Sequence, residues 1–280
     1  MHASIYMLEK ELIEHKNITR VPFFLFIVAV IMIVGLIANS SHNSHMAFEM
    51  HYSGNNVDMF DVFSSNVYAA MSYSVSLVSI ILSSLYLPKT LRKERVEGSS
   101  MFWRSMPVSH ALTHSVKLGF GLLVIPAICS LLLLSTNLIL WLANISINEP
   151  VTLFLGQVSF IDIIINWLDF LFKMSLIALA LLPLATIALM TSQLVSSPIL
   201  IMLLGYYVVK WVSLYLFGFT ALSVFFDAIL SIPNLIFSSE PLTGFIHAGV
   251  FNLIIYYTLG IVALFASLSL SQTNELSFRQ

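Results

Sequence analysis

Six stretches of this chain run for 18 to 26 residues with at most one charge in each: 21–38, 67–87, 118–143, 170–190, 198–219 and 245–270. A helix rising 1.5 Å per residue needs about 20 apolar residues to cross the hydrocarbon of a bilayer. The runs are continuous rather than alternating, which excludes the strand pattern of a membrane barrel. Hydrogen-bonded helices are then the way such segments satisfy their backbone in lipid. Composition agrees. Only 9% of residues are charged, where a soluble domain carries about 25%. The expected fold is an all-α membrane protein of about six transmembrane helices. The first run is expected to be a retained span, because its core of 18 residues exceeds the roughly 7–15 of a signal peptide.

Orientation follows from lysine and arginine. Lys10, Lys16 and Arg20 precede the first run; Lys89, Arg92, Lys93, Arg95, Arg104 and Lys117 lie between the second and third; Arg279 lies in the tail. Segments 39–66, 144–169 and 220–244 contain neither lysine nor arginine but hold Glu49, Asp58, Asp61, Glu149, Asp162, Asp169, Asp227 and Glu240. Six spans with both termini in the cytoplasm keep every basic cluster on one side.

The chain therefore reads as a single transmembrane domain, 1–280. It divides into a cytoplasmic elbow (1–20), spans one and two (21–87), a cytoplasmic loop (88–117), spans three to six (118–270) and a tail (271–280). Residues 6–20 mix Leu8, Leu12 and Ile13 with Glu9, Lys10, Glu11, Glu14 and Lys16, the pattern of an amphipathic helix at the membrane interface. Pro22 is expected to mark the turn into span one. Residues 151–167 fit an interfacial helix or an extension of span four. Residues 221–244 are too apolar for a free loop and too broken for a span, which fits an outward re-entrant or interfacial hairpin. Ser196-Ser197-Pro198 fits a tight turn between spans four and five.

No phosphate-binding loop G-x-x-x-x-G-K-[ST], no H-E-x-x-H and no G-x-S-x-G occurs. The chain is thus expected not to be an enzyme and to bind no cofactor, and the lone Cys129 offers no cysteine metal site. Lys210, about twelve residues into span five, is a candidate for a translocation path, for an ion pair, or for snorkelling past Trp211 and Tyr215. No carboxylate opposite it is evident. Asp169 and Lys173 share a helix face at spacing i, i+4. The serines at 72, 74, 76, 79, 83 and 84 of span two suit close helix packing. On the outer side His42, His45 and Glu49 are weak candidates for a metal site, with plain solvation the simpler reading.

The loop between spans two and three carries charges of both signs, then Gly98-Ser99-Ser100, then Met101, Phe102, Trp103 and Met106 around Arg104. That composition suits either a protein-contact hot spot or an aromatic belt at the headgroups. The string Lys93-Glu-Arg-Val-Glu-Gly-Ser-Ser-Met-Phe-Trp-Arg-Ser-Met-Pro-Val-Ser109 resembles the first cytoplasmic loop of permeases in the type-2 ABC exporter family. Glu11-Leu-Ile-Glu-His-Lys-Asn17 is similar to that family's opening before span one. The order of elbow, six spans and outward hairpin agrees as well.

The resemblance implies a membrane-spanning permease subunit, an exporter of the bacterial inner membrane. Its loop would form a coupling helix, with Glu94, Arg95, Glu97, Phe102, Trp103, Arg104 and Pro107 against a separate ABC ATPase subunit. ATP and magnesium would sit on that partner. The permease would pair with a copy of itself or a similar chain, amid membrane lipid, with no role for nucleic acid. One departure is the turn between spans four and five, which lacks the basic residues many relatives have. The rival reading is an assembly or sensor subunit that binds a cytoplasmic partner without transporting anything.

Overall fold

The computed structural model describes residues 3–40, 67–96, 109–146, 159–218, 220–237 and 240–277, and all of these are helical apart from short connections. The helices are α1 (Ala3–Glu14), α2 (Lys16–Ser40), α3 (Val67–Val96), α4 (His110–Gly119), α5 (Ile125–Ser146), α6 (Phe160–Leu194), α7 (Pro198–Phe217), α8 (Thr220–Ile236), α9 (Thr243–Ala248) and α10 (Val250–Ser277). A π-helical turn, Phe120–Val124, joins α4 to α5 into one rod. Six helical segments are long and apolar enough to cross a membrane: Ile18–Gly35, Tyr68–Lys93, His110–Leu142, Phe160–Leu194, Pro198–Leu216 and Val250–Gln272. Span four is the most enclosed of the six and span five the least.

Several boundaries differ from expectation, each for a local reason. The elbow ends at His15, not at Pro22, which lies inside α2. Membrane helices tolerate an internal proline because neighbouring groups satisfy the freed carbonyl. Pro88 and Pro183 lie within α3 and α6 in the same way. Of the two readings for 151–167, the described part, from Phe160, extends span four. The turn into span five falls where expected, with Ser197 at the N-cap and Pro198 opening α7, since proline suits a first helical turn. At the hairpin expected over 221–244, α8 packs against α9. Span six starts at Val250, not at 245, because Gly249 has φ 77° and breaks the helix.

The chain forms two compact units. The first comprises Met1–Lys16, Ile80–Ile125 and Lys173–Gln280; the second comprises Asn17–Ser79 and Pro126–Phe172. In the second, Ile33 and Leu140 pack with Met71 and Ile139, and the Trp141 and Phe160 rings lie 5.6 Å apart. Asn137 is fully buried there, and neither its amide nitrogen nor its oxygen has a hydrogen-bond partner among the described residues.

In the first unit, helices approach closely and exchange side-chain hydrogen bonds. Ser83 donates to the Gly121 carbonyl across spans two and three at 2.6 Å. Tyr256 and Tyr257 of span six donate to the carbonyls of Ala180 and Leu179 in span four, at 2.9 and 3.0 Å. Most other serines of span two donate to their own helix, as Ser72 does to Tyr68 and Ser76 to Tyr73. That satisfies the hydroxyls and leaves small surfaces for packing.

Candidate functional site: a buried ion cluster at the elbow

The elbow helix α1 is amphipathic in an unusual sense. Ile5, Tyr6, Leu12 and Ile13 are exposed, while Glu11 is turned inward and is only 2% exposed. A buried carboxylate needs both a counter-charge and hydrogen bonds. Lys117 of α4, 1% exposed, supplies the charge at 2.7 Å from Glu11 Oε1. The Tyr86 hydroxyl donates to Oε2 at 2.6 Å, and the Thr90 hydroxyl lies 3.4 Å from the same oxygen. Lys117 also donates to Thr90 Oγ1 at 2.8 Å, so its charge is shared between α1 and α3.

A second layer surrounds this pair. His15 Nε2 lies 3.6 Å from Glu11 Oε2, and the His15 ring meets the Tyr86 ring edge-on at 4.9 Å. Tyr86 in turn packs on Phe120, the first residue of the π turn. One turn further along α3, Lys93 donates to the Glu14 carbonyl at 2.8 Å, which caps the end of α1. Burial pushes the Glu11 carboxyl upward, but the Lys117 charge, the hydrogen bonds from Lys117 and Tyr86, and His15 outweigh it. The carboxyl is therefore held below its ordinary value and stays ionised at neutral pH.

A second polar knot joins spans three, four and six. His114 is buried, with Nδ1 2.9 Å from the His110 carbonyl and Nε2 2.9 Å from Ser267 Oγ. An Nδ1–H donated to that carbonyl leaves Nε2 to accept from Ser267. Gln193 donates to Ser267 Oγ at 2.8 Å and to the Ser267 carbonyl at 3.1 Å.

The residues singled out from sequence fall differently. Lys210 pairs with an acid: its Nζ lies 2.6 Å from Asp227 Oδ1 in α8. This corrects the expectation that no carboxylate stands opposite it. Asp169 is exposed and Lys173 half-buried, both on α6. Glu94 and Arg95 belong to the last turn of α3. Glu97, Phe102, Trp103, Arg104 and Pro107 lie outside the described residues, as do His42, His45 and Glu49.

Along the sequence Glu11 and His15 belong to one short string and Lys117 is one more loop cation, and nothing in the pattern brings them together. The available signal was Lys117 itself, directly followed by an apolar run of 26 residues, 118–143. A cation at such a junction wants a partner.

The six apolar helices define a multi-pass α-helical membrane protein. Among known proteins, no family profile, no curated protein and no solved structure matches the chain.

Proposed function

We propose that this chain is the membrane-spanning permease subunit of an ABC-type transporter of the bacterial inner membrane, working as an exporter. A separate ATPase subunit would drive it through the segment between spans two and three. The observation that carries this reading is the Glu11–Lys117–Thr90 cluster. Thr90 lies near the end of α3 and Lys117 near the start of span three, so the cluster joins the two helices that flank segment 97–108 and ties both to α1. A push applied to that segment passes to both spans and the elbow together. A loop free of such a clamp would bend and dissipate the push.

The resemblance of Trp103-Arg-Ser-Met-Pro-Val-Ser109 to a coupling loop supports the same role. Glu94, Arg95, Glu97, Phe102, Trp103, Arg104 and Pro107 would contact the ATPase. Nucleotide and magnesium would bind there, and hydrolysis would be the partner's. Two permease chains, identical or similar, would enclose the path.

The test is isolation of the tagged chain in mild detergent, with ATP turnover measured in the purified complex. A phosphate-loop ATPase is expected to co-purify. Trp103→Ala with Arg104→Ala is expected to weaken its retention by about thirtyfold, the effect of losing a single hot-spot anchor. Undiminished retention and turnover in that double variant would remove the docking role. Retention of a partner without ATPase activity would favour the assembly or sensor reading.

A further inference from the structure

The two oxygens of the buried Glu11 carboxylate are held differently. Oε1 faces the Lys117 ammonium at 2.7 Å. Oε2 meets neutral hydroxyls, Tyr86 at 2.6 Å and Thr90 at 3.4 Å. His15 Nε2 stands 3.6 Å from that second oxygen. This is close enough for an ion pair and too long for a hydrogen bond. A carboxylate offers about two acceptor sites on each oxygen, so Oε2 can take a further donor.

His15 also holds a particular place in the chain. It is the one residue between α1, which ends at Glu14, and α2, which begins at Lys16. Its N–H donates to the Glu11 carbonyl at 3.0 Å and closes the last turn of α1. Its ring stands at 84° to that of Tyr86 and so rests on α3. It precedes the first candidate span, Ile18–Gly35.

The charged and titratable groups around it come from four elements. Its own helix supplies Glu11 and the Lys10–Glu14 pair, 3.6 Å apart, and α2 opens with Lys16. From α3 come Tyr86 and Lys93, whose ammonium donates to the Glu14 carbonyl at 2.8 Å. From α4 comes Lys117, on the other oxygen of Glu11. The His15 charge helps to hold the Glu11 carboxyl below its ordinary value.

From this geometry we propose that His15 is a pH-sensitive clasp on the elbow. A histidine ordinarily changes charge near pH 6.5. When it gains a proton, its Nε2–H donates to Glu11 Oε2 and tightens α1 against α3 and α4. When it loses the proton that bond is lost and the elbow loosens. The clasp is a property of the cluster and does not depend on an ATPase partner.

Unfolding temperatures of the full chain in lipid nanodiscs test it. The advantage of wild type over His15→Gln is expected to be about 2–4 °C larger at about pH 5.5 than at about pH 7.5, above the range in which Glu11 itself protonates. An advantage that stays equal or shrinks overturns the clasp. In a Glu11→Gln background the increment is expected to vanish; an increment that persists shows that His15 answers to another group, and the proposal fails. His15→Lys, charged at both pH values, is expected to be more stable than His15→Gln by the same margin at each. Should Glu11→Gln not fold, this pair decides: a lysine variant no more stable than the glutamine one shows that the neighbouring cations repel a charge there, and sinks the proposal.

Discussion

Glu11→Gln is expected to destabilise the protein by about 3–5 kcal/mol, because it removes the charge that Glu11 sets against a buried lysine. Glutamine keeps the size of the side chain and one acceptor oxygen, so loss of packing explains little of the effect. The cost falls on Lys117, whose side chain is 1% exposed and whose ammonium lies 2.7 Å from the Glu11 carboxylate. Thermal unfolding in nanodiscs measures the loss. The double variant Glu11→Leu with Lys117→Met is expected to recover most of it, since apolar replacement of a whole buried pair is often neutral or stabilising. A double variant as unstable as Glu11→Gln would show that the pair does not act as a unit.

The same cluster sets an acid limit. The Glu11 carboxyl is held below its ordinary value by Lys117, against the opposing effect of burial. A depressed carboxyl contributes stability that is fully present above the unfolded value of about 4.3 and is lost as pH falls through the folded value. The wild-type unfolding temperature is thus expected to drop as pH falls below the ordinary carboxylate range, and Glu11→Gln to lack that component of the drop. Parallel pH profiles for the two proteins would contradict the assignment.

Gly260→Ala is expected to cost about 1–3 kcal/mol, and Gly260→Leu more, by overpacking spans four and six. A Cβ at residue 260 would lie 2.6 Å from Pro183 Cβ and 2.7 Å from its Cα. Those atoms belong to a rigid ring and a backbone, so no rotamer relieves the clash. The approach also sets a hydrogen bond: Thr186 Oγ1 lies 2.9 Å from the Gly260 carbonyl and 2.7 Å from that of Pro183. Gly205→Ala is the control, because nothing lies within 4 Å of its missing Cβ. It is expected to be neutral or stabilising by up to about 1 kcal/mol from helix propensity. Equal unfolding temperatures for the two alanine variants would refute the close contact.

The spans were legible because hydrocarbon imposes a length on any helix that crosses it, and the six runs met that length without ambiguity. The hairpin was legible for the opposite reason. Asp227, Pro233 and Asn234 interrupt an apolar stretch too often for a crossing. The end of the elbow was not legible, since Pro22 looks like a break in sequence and lies within a helix in the structure. Glu11 was hidden for a different reason. Its partner lies 106 residues away, and hydropathy along one segment carries no information about a charge on another. The pairing of Lys210 with Asp227 was within reach: Lys210 stands eight residues before Gly218 and Asp227 nine after it. A reversal at that glycine brings the two side by side.

The π turn at Phe120–Val124 bears on how this chain tolerates change in its length. A π turn inside an α-helix accommodates one residue more than the regular repeat while the flanking turns keep their course. Elsewhere in span three, losing one residue rotates everything beyond it by about 100° and exchanges buried for exposed faces. At 120–124 the same loss lets the rod relax to plain α-helix with its two halves still aligned. The surplus residue is thus a store of slack beside the Lys117 face. What such a deletion forfeits is local: the register that presents the Gly121 carbonyl to Ser83.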